Sequence, residues 1–401
     1  MGTYTKLWRT PGVARIISSQ LLARFPFGMM SLGFVMHIEH VHHSYAIAGI
    51  ALGAETVGAA ISGPLLGRNL SRFGVRRLIA VTTVLSSAAI AAIGLTTAPP
   101  IVMILLALVV GLTSPPIQSA VRTIYPTLVK KRNMNLLFSL DAALQELIWV
   151  IGPVLATVLA AQVSTSFGLV VMAVLQLIGS AWFLANREVG TLEIPTSSRR
   201  MGGVLKNKIV LANVILGLLL VGSFAGVEVG TVGLLDKATA GLVISALSVG
   251  SLIGGFSLGK RAKTKWALTK FSIIILFGYS LAFVMPSNPL WLAACWFIAG
   301  IGIAPALGTL GAVISYALKM DETAEAFGWV NTGQLIGYSA GAALAGVAID
   351  TISAESSFWI AIVFGAATIL VAIMSASITP ALGKMHPETA PIKILAEPEA
   401  E

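Results

Sequence analysis

The sequence predicts an all-α integral membrane protein with twelve transmembrane helices in two six-helix pseudo-repeats. Three observations lead there. Only 11% of the 401 residues are charged and 56% are hydrophobic, whereas a soluble domain carries about 25% charged residues. That is too little charge to cover a water-facing surface. The apolar residues gather in long runs, and a helix needs about 20 of them to cross a bilayer. The runs also fall into two sets of six that share a glycine pattern. A soluble enzyme and a single-pass anchor are thereby excluded. Barrel strands would be about ten residues long and alternating in polarity; these runs are twice that and do not alternate.

In order, the runs are 13–36, 45–67, 78–96, 101–125, 139–162 and 167–185, then 208–233, 240–259, 267–285, 290–315, 325–349 and 357–378. The first is too long for the core of a cleavable leader and passes into a His-rich segment, so it is read as a span. Most connections are short and make neighbours antiparallel. The exception, 186–207, holds Pro195, Ser197, Ser198, Arg199, Arg200, Gly202 and Gly203. It is read as a cytoplasmic linker between an N-terminal half, 1–185, and a C-terminal half, 208–379. The polar, Pro-rich 380–401 is expected to be a disordered cytoplasmic tail. With the N-terminus inside, all of the 26 Lys and Arg except Arg24 and Lys237 fall on the inner face. By the positive-inside rule both termini are expected in the cytoplasm, here of an inner membrane. Anionic lipid then accounts for the net charge of +9 without nucleic acid. Cys295 has no partner and is read as a small apolar residue.

The second span ends Gly58…Ser62-Gly63-Pro64-Leu65-Leu66-Gly67-Arg68, and the eighth Gly250…Gly254-Gly255-Phe256-Ser257-Leu258-Gly259-Lys260, at a constant offset of 192. Gly111-Leu112-Thr113-Ser114-Pro115-Pro116 in the fourth is echoed by Gly300-Ile301-Gly302-Ile303-Ala304-Pro305 in the tenth. Parallel six-helix halves are the layout of transporters with a site between the halves. Most of the glycines are expected to serve close helix packing.

The loop after the second span reads Gly67-Arg68-Asn69-Leu70-Ser71-Arg72-Phe73-Gly74-Val75-Arg76-Arg77. On this loop and on the paired halves, the chain resembles the major facilitator superfamily over residues 10–380. Gly67, Arg72, Gly74, Arg76 and Arg77 match the family pattern, while Ser71 stands where the family usually has Asp. The resemblance implies a cytoplasmic gating loop, Gly67, Arg68, Ser71, Arg72, Gly74, Arg76 and Arg77, that latches the inner side in the outward-open state. Ser71 would cap a helix N-terminus, or Asp321, Glu322 or Glu325 would pair with Arg72. Gly152-Pro153 keeps the end of a Gly-rich motif associated with antiporters. Arg24-Phe25-Pro26-Phe27-Gly28-Met29 resembles bacterial efflux-type members.

Ionisable residues within spans are costly and usually face the bundle interior. Arg24 and Glu55 lie sixteen and fifteen residues either side of a turn near residue 40, hence at matching depth, and are expected to pair. Glu55 would alternate between Arg24 and a proton, or the pair would be a static packing element. Arg122 and Asp141 match in depth around a turn near residue 131, with Glu146 a little over one turn deeper. They form either a structural clasp or a gate. Burial raises carboxylate pKa values and a neighbouring Arg opposes the shift. All five are candidates for proton coupling. Glu228 lies near the outer end of the seventh span and is read as a water-exposed mouth residue. Gln20, Gln118, Asn331, Gln334 and Tyr338 are candidate polar lining of the cavity, with Phe27, Trp149 and Phe224 among its apolar wall. Asn331, Gln334 and Tyr338 share one face of the eleventh span. An apolar wall with few polar groups suits amphipathic substrates.

His37, His40, His42 and His43 are read as a solvated outer loop with no defensible metal-ligand spacing. No phosphate-binding Gly-Lys-Ser/Thr loop is present, and no catalytic constellation appears. The expected function is therefore secondary active transport rather than enzymatic: proton-coupled export of small amphipathic compounds by alternating access, by a monomer without cofactor or metal. An importer of a small metabolite or sugar on the same fold remains open as an alternative. So does a non-transporting receptor or assembly protein.

Overall fold

A computed structural model describes residues 7–129, 133–190, 200–235, 237–261 and 264–379. The centre of the expected linker, the expected tail from Pro380, and Lys130, Lys131 and Arg132 lie outside these residues. Among the described residues, twelve helices are long and apolar enough to cross a membrane. In the first half they are α1 Val13–His42, α2 Tyr45–Phe73, α3 Val75–Leu95, α4 in two pieces (Pro100–Leu112 and Ile117–Leu128), α5 Met134–Gln162 and α6 Thr165–Ala185. In the second they are α7 Lys208–Leu234, α8 Lys237–Leu258, α9 Ala267–Leu281, α10 Pro289–Ala317, α11 Met320–Thr351 and α12 Ser357–Ser375. Many large apolar side chains point outward along these helices, such as Val57, Val84, Phe277 and Val363, each more than half exposed, as a lipid-facing surface requires.

Local chemistry sets the ends. Ser44, Ser164, Asn207 and Asn288 accept from backbone N–H groups in the first turns of α2, α6, α7 and α10, satisfying donors the helix leaves unpaired. Gly74 at φ 79° makes the sharp turn between α2 and α3; an L side chain would be strained there. Pro115-Pro116 removes two N–H donors and splits α4. The His-rich segment corrects the expectation of a loop. It continues α1 to His42, with His43 in the left-handed region at φ 51°. His37 is 2% exposed, bonded to Thr165 Oγ1 at 3.0 Å and the Ile93 carbonyl at 2.9 Å. An imidazole inside a helix bundle finds partners on neighbouring helices, which a sequence pattern does not show.

The internal repeat reappears as packing. A Cβ at Gly58 on α2 would lie 2.7 Å from the Leu108 carbonyl of α4, and one at Gly250 on α8 would meet Phe297 and Gly300 of α10. Equivalent helices of the two halves thus touch through equivalent glycines. Gly152, on α5, backs onto Gly28, on α1, where a Cβ would come within 2.6 Å of backbone carbon. The remnant of the antiporter-associated motif and the run resembling efflux-type members therefore meet one another as a helix crossing.

The two ends of the bundle differ. A core at the end carrying the basic loops draws on both halves, joining Ile16, Tyr125 and Phe138 to Val210, Tyr316 and Phe327. At the opposite end the first half has its own core, around Met29, Phe34, Ile90 and Met172. The second half has a separate core that runs along it, from Ala267 and Phe271 near the basic end to Trp296 and Phe358 toward the other.

Candidate functional site

The two halves meet along two seams. On one, α2 and α11 run antiparallel with small residues in register. Thr332 Oγ1 donates to the Ala60 carbonyl at 2.6 Å, and a Cβ at Gly328 would lie 2.6 Å from Pro64 Cα. At the basic end of this seam Arg68 Nη1 bonds Glu325 Oε2 at 2.9 Å. The other Glu325 oxygen accepts from the Gly202 backbone N–H at 2.7 Å. One carboxylate, 1% exposed, therefore ties the first half, the second half and the segment joining them.

This arrangement corrects two details of the expected latch. Glu325 does pair with the gating loop, but through Arg68; Arg72 lies over the neighbouring Phe73 ring at 5.4 Å. Ser71 Oγ donates to the Arg68 carbonyl at 3.0 Å within its own helix, so it caps no other helix. Arg76 Nε donates to the Leu184 carbonyl at 3.1 Å, covering the carbonyl end of α6, where positive charge is favourable. Gly67 lies against the Ala324 backbone of α11.

The second seam joins α5 to α8 and α10. Phe138 packs on Gly311 and Ser139 on Gly308, Ala143 and Ala304 share a small cluster, and Ser251 Oγ of α8 donates to Glu146 Oε1 at 2.9 Å. Ser248 also lies beside that carboxyl. Glu146 is thus a membrane-embedded carboxyl bonded across the halves. Its partner was legible only as a faint signal, Ser245, Ser248 and Ser251 at three-residue spacing on one face of a mostly apolar helix.

Between the seams lies a buried ionic cluster. Arg24 and Gln20 are one turn apart on α1 and so face the same neighbour. Arg24 Nη1 donates to Gln20 Oε1 at 2.8 Å, and Gln20 Nε2 donates to Asp141 Oδ1 at 2.8 Å. Arg24 itself comes to 3.8 Å of that oxygen. Arg122 Nε lies 3.5 Å from Asp141 Oδ2. Exposures of 5% for Arg24, 7% for Arg122 and 0% for Asp141 place the group out of reach of solvent. The expected Arg122–Asp141 contact is present, but the expected Arg24–Glu55 pair is not. Equal depth fixes height along a helix and not direction around it, and Arg24 points to α5. Glu55 instead receives Thr56 Oγ1 at 3.4 Å, buried where α2 and α4 touch.

The remaining predicted residues divide by helix. Glu228 is half-buried rather than a free mouth residue, since Tyr338 donates its hydroxyl to it at 2.8 Å. Gln334 lies over Gly217, where a Cβ would come within 3.2 Å of its Cγ. Two of the three residues on that face of α11 therefore meet α7 of the same half. Phe27 and Phe224 pack against the separate cores of their own halves. Gln118 and Asn331 are half-buried, and Trp149 presents 53% of its surface outward. Among the described residues no group of three or more His, Cys, Asp or Glu could hold a metal ion.

Comparison with known proteins adds the family. The sequence profile of the Major Facilitator Superfamily matches residues 16–235 and 229–395. An uncharacterized MFS-type transporter, y4rN, of Sinorhizobium fredii is 28% identical over 159 residues. The match covers 38% of this chain and 39% of that protein, so the chain spans well under half of the relative's length. Among solved structures, a bacterial homologue of the iron transporter ferroportin in an outward-facing state aligns with a TM-score of 0.74 at 13% identity, covering 91% of this chain and 99% of that one. The human organic anion transporter MFSD10 (TETRAN) aligns at 0.71 and 13% identity, over 90% and 98%. The proton:xylose symporter XylE aligns at 0.71 and 14% identity, over 93% and 97%. At such identities these likenesses show the fold. With its matched profile, its twelve candidate spans and its paired six-helix halves, the chain belongs to the major facilitator superfamily.

Proposed function

We propose that this transporter exports small amphipathic compounds in exchange for protons, with the conformer described here closed on its inner side. The basic loops mark that side as cytoplasmic by the positive-inside rule. The shared core and both seams sit at the same end. Toward the other end the core of the first half is its own, and the core of the second half, which runs the length of that half, shares no residue with it. This is the outward-facing arm of an alternating-access cycle, in which the halves rock about a site near the midplane.

The observation that carries the coupling is the Glu146–Ser251 bond across the halves. Among the described residues Glu146 has no cation within ion-pair distance. Between Thr239 and Leu258 of α8, and along the whole of α10, there is no acidic or basic residue. Arg24 of the neighbouring α1 is engaged by Gln20 and Asp141. A carboxyl facing only hydroxyls is cheaper to bury neutral than ionised, so a proton on Glu146 favours the closed seam and its loss favours parting. Glu55 and Glu228, also bonded to hydroxyls alone, are secondary candidates.

Proteoliposomes with an imposed pH gradient and a pH dye inside test this reading. Substrate-dependent proton flux is expected in wild type and is expected to vanish in Glu146→Gln. Flux unchanged in Glu146→Gln but lost in Glu55→Gln would move the proton site to α2. Substrate accumulation rather than expulsion by intact cells would reverse the direction.

A further inference from the structure

Arg122 is a buried guanidinium that makes no hydrogen bond to any described residue. Its one ionic contact is Asp141 at 3.5 Å, and Nε is buried without a hydrogen-bond partner. A guanidinium stays charged and offers five N–H donors in a rigid fork. Two neighbours, Tyr125 and Asp141, make this unusual site specific. The Tyr125 hydroxyl, 0% exposed, has no partner in full hydrogen-bond geometry, although it lies beside the Asp141 carboxylate. Asp141 is shared between two arginines and its Oδ1 is taken by Gln20. With two guanidinium groups to one carboxylate, and no other carboxylate within ion-pair distance of either among the described residues, the cluster holds an excess positive charge. Burying such a charge unpaired is costly.

The apolar surroundings point the same way. Phe327, from α11 of the other half, places its ring 5.6 Å from the guanidinium. Phe138 lies 6.1 Å from the Phe327 ring and 5.2 Å from that of Tyr125. When the inner side opens, Phe327 leaves with its half. Arg122, Tyr125 and Phe138 stay together on the first half, with unspent donors and an uncovered aromatic face.

We infer that Arg122 and Tyr125 form the anion-binding part of the substrate site, and that the transported compound is an amphipathic anion, an aromatic carboxylate or sulfonate. Its ring takes the place Phe327 vacates and its oxygens take the free N–H and O–H donors. The fork suits a planar, bidentate carboxylate better than a point charge does. The inference rests on the transport reading for its role in a cycle, but not for binding itself.

Equilibrium binding to the full chain in lipid nanodiscs tests it, using naphthoate, the matched naphthamide and naphthylmethylammonium as probes. Wild type should bind naphthoate at least tenfold more tightly than either analogue. Tyr125→Phe, which removes only a hydroxyl, should weaken naphthoate several-fold and leave naphthamide unchanged. Arg122→Lys should fall between wild type and Arg122→Gln, which should abolish the preference for the anion. Glu325→Gln, by loosening the inner latch, should tighten naphthoate binding, because apparent affinity scales with the fraction of open protein. Equal binding of the three probes, an anion preference surviving in Arg122→Gln and Tyr125→Phe, or full competition by inorganic sulfate would each overturn the inference. Naphthoate that binds through Arg122 but is not moved across proteoliposomes would instead overturn the transport reading.

Discussion

Asp141 shows how much a single buried carboxylate can hold in place. It faces arginines from α1 and α4 and a glutamine from α1, and it is 0% exposed. Removing its charge leaves two guanidinium groups buried without an anion, a change that costs about 3–5 kcal/mol in comparable sites. Asp141→Asn should therefore lower the thermal stability of detergent-solubilised protein by many degrees, while Glu228→Gln, which keeps an acceptor for Tyr338, should leave it nearly unchanged. Equal losses in the two variants would contradict the central place given to Asp141. At this scale the sequence was half legible. Counting residues from the turn predicted the Arg122–Asp141 contact, because both lie on helices joined by that turn. The same count misassigned Arg24, because it carries no information about the direction a side chain takes around its helix. Nothing in the sequence singled out Phe327, an apolar residue whose part comes from the opposite half.

Between elements, the α2–α11 seam joins backbones closely enough that side-chain size decides whether it shuts. Gly328→Val would bring a branched side chain onto Gly63 and Pro64, where even a Cβ lies 2.6 Å from backbone atoms; overpacking of this kind costs about 1–3 kcal/mol. Glu325→Gln removes a charged hydrogen bond worth about 1–2 kcal/mol once the partly exposed Arg68 is allowed for, close to a tenfold shift in population. Both variants should raise labelling of a cysteine placed at Thr332, 8% exposed, by a reagent added from the inner side. Labelling no faster than in the parent would show that this seam is not the gate. The glycine register of α2 and α8 was readable in advance as a repeat. That its α2 copy also packs in a seam against α11 was not, since contacts between halves depend on the conformer and leave no period in either helix.

Across the whole molecule, twelve spans and two halves were legible because a bilayer imposes length and apolarity on every helix. Edges were less so. Helices α1 and α2 extend past their apolar runs, to His42 and Phe73, because a helix can continue into the interface once hydropathy has fallen. The core shared at the basic end and the unshared cores of the two halves are properties of the folded pair, and they lead to one central claim: a proton on Glu146 holds the inner side closed. Spin labels at Phe73→Cys on α2 and Lys208→Cys on α7 report the distance across that end, with native Cys295 buried at 1% exposure. In nanodiscs the account predicts a short distance at low pH that lengthens as pH rises in the wild-type background, and a short distance at every pH in Glu146→Gln. A pH-dependent opening that persists unchanged in Glu146→Gln would contradict it.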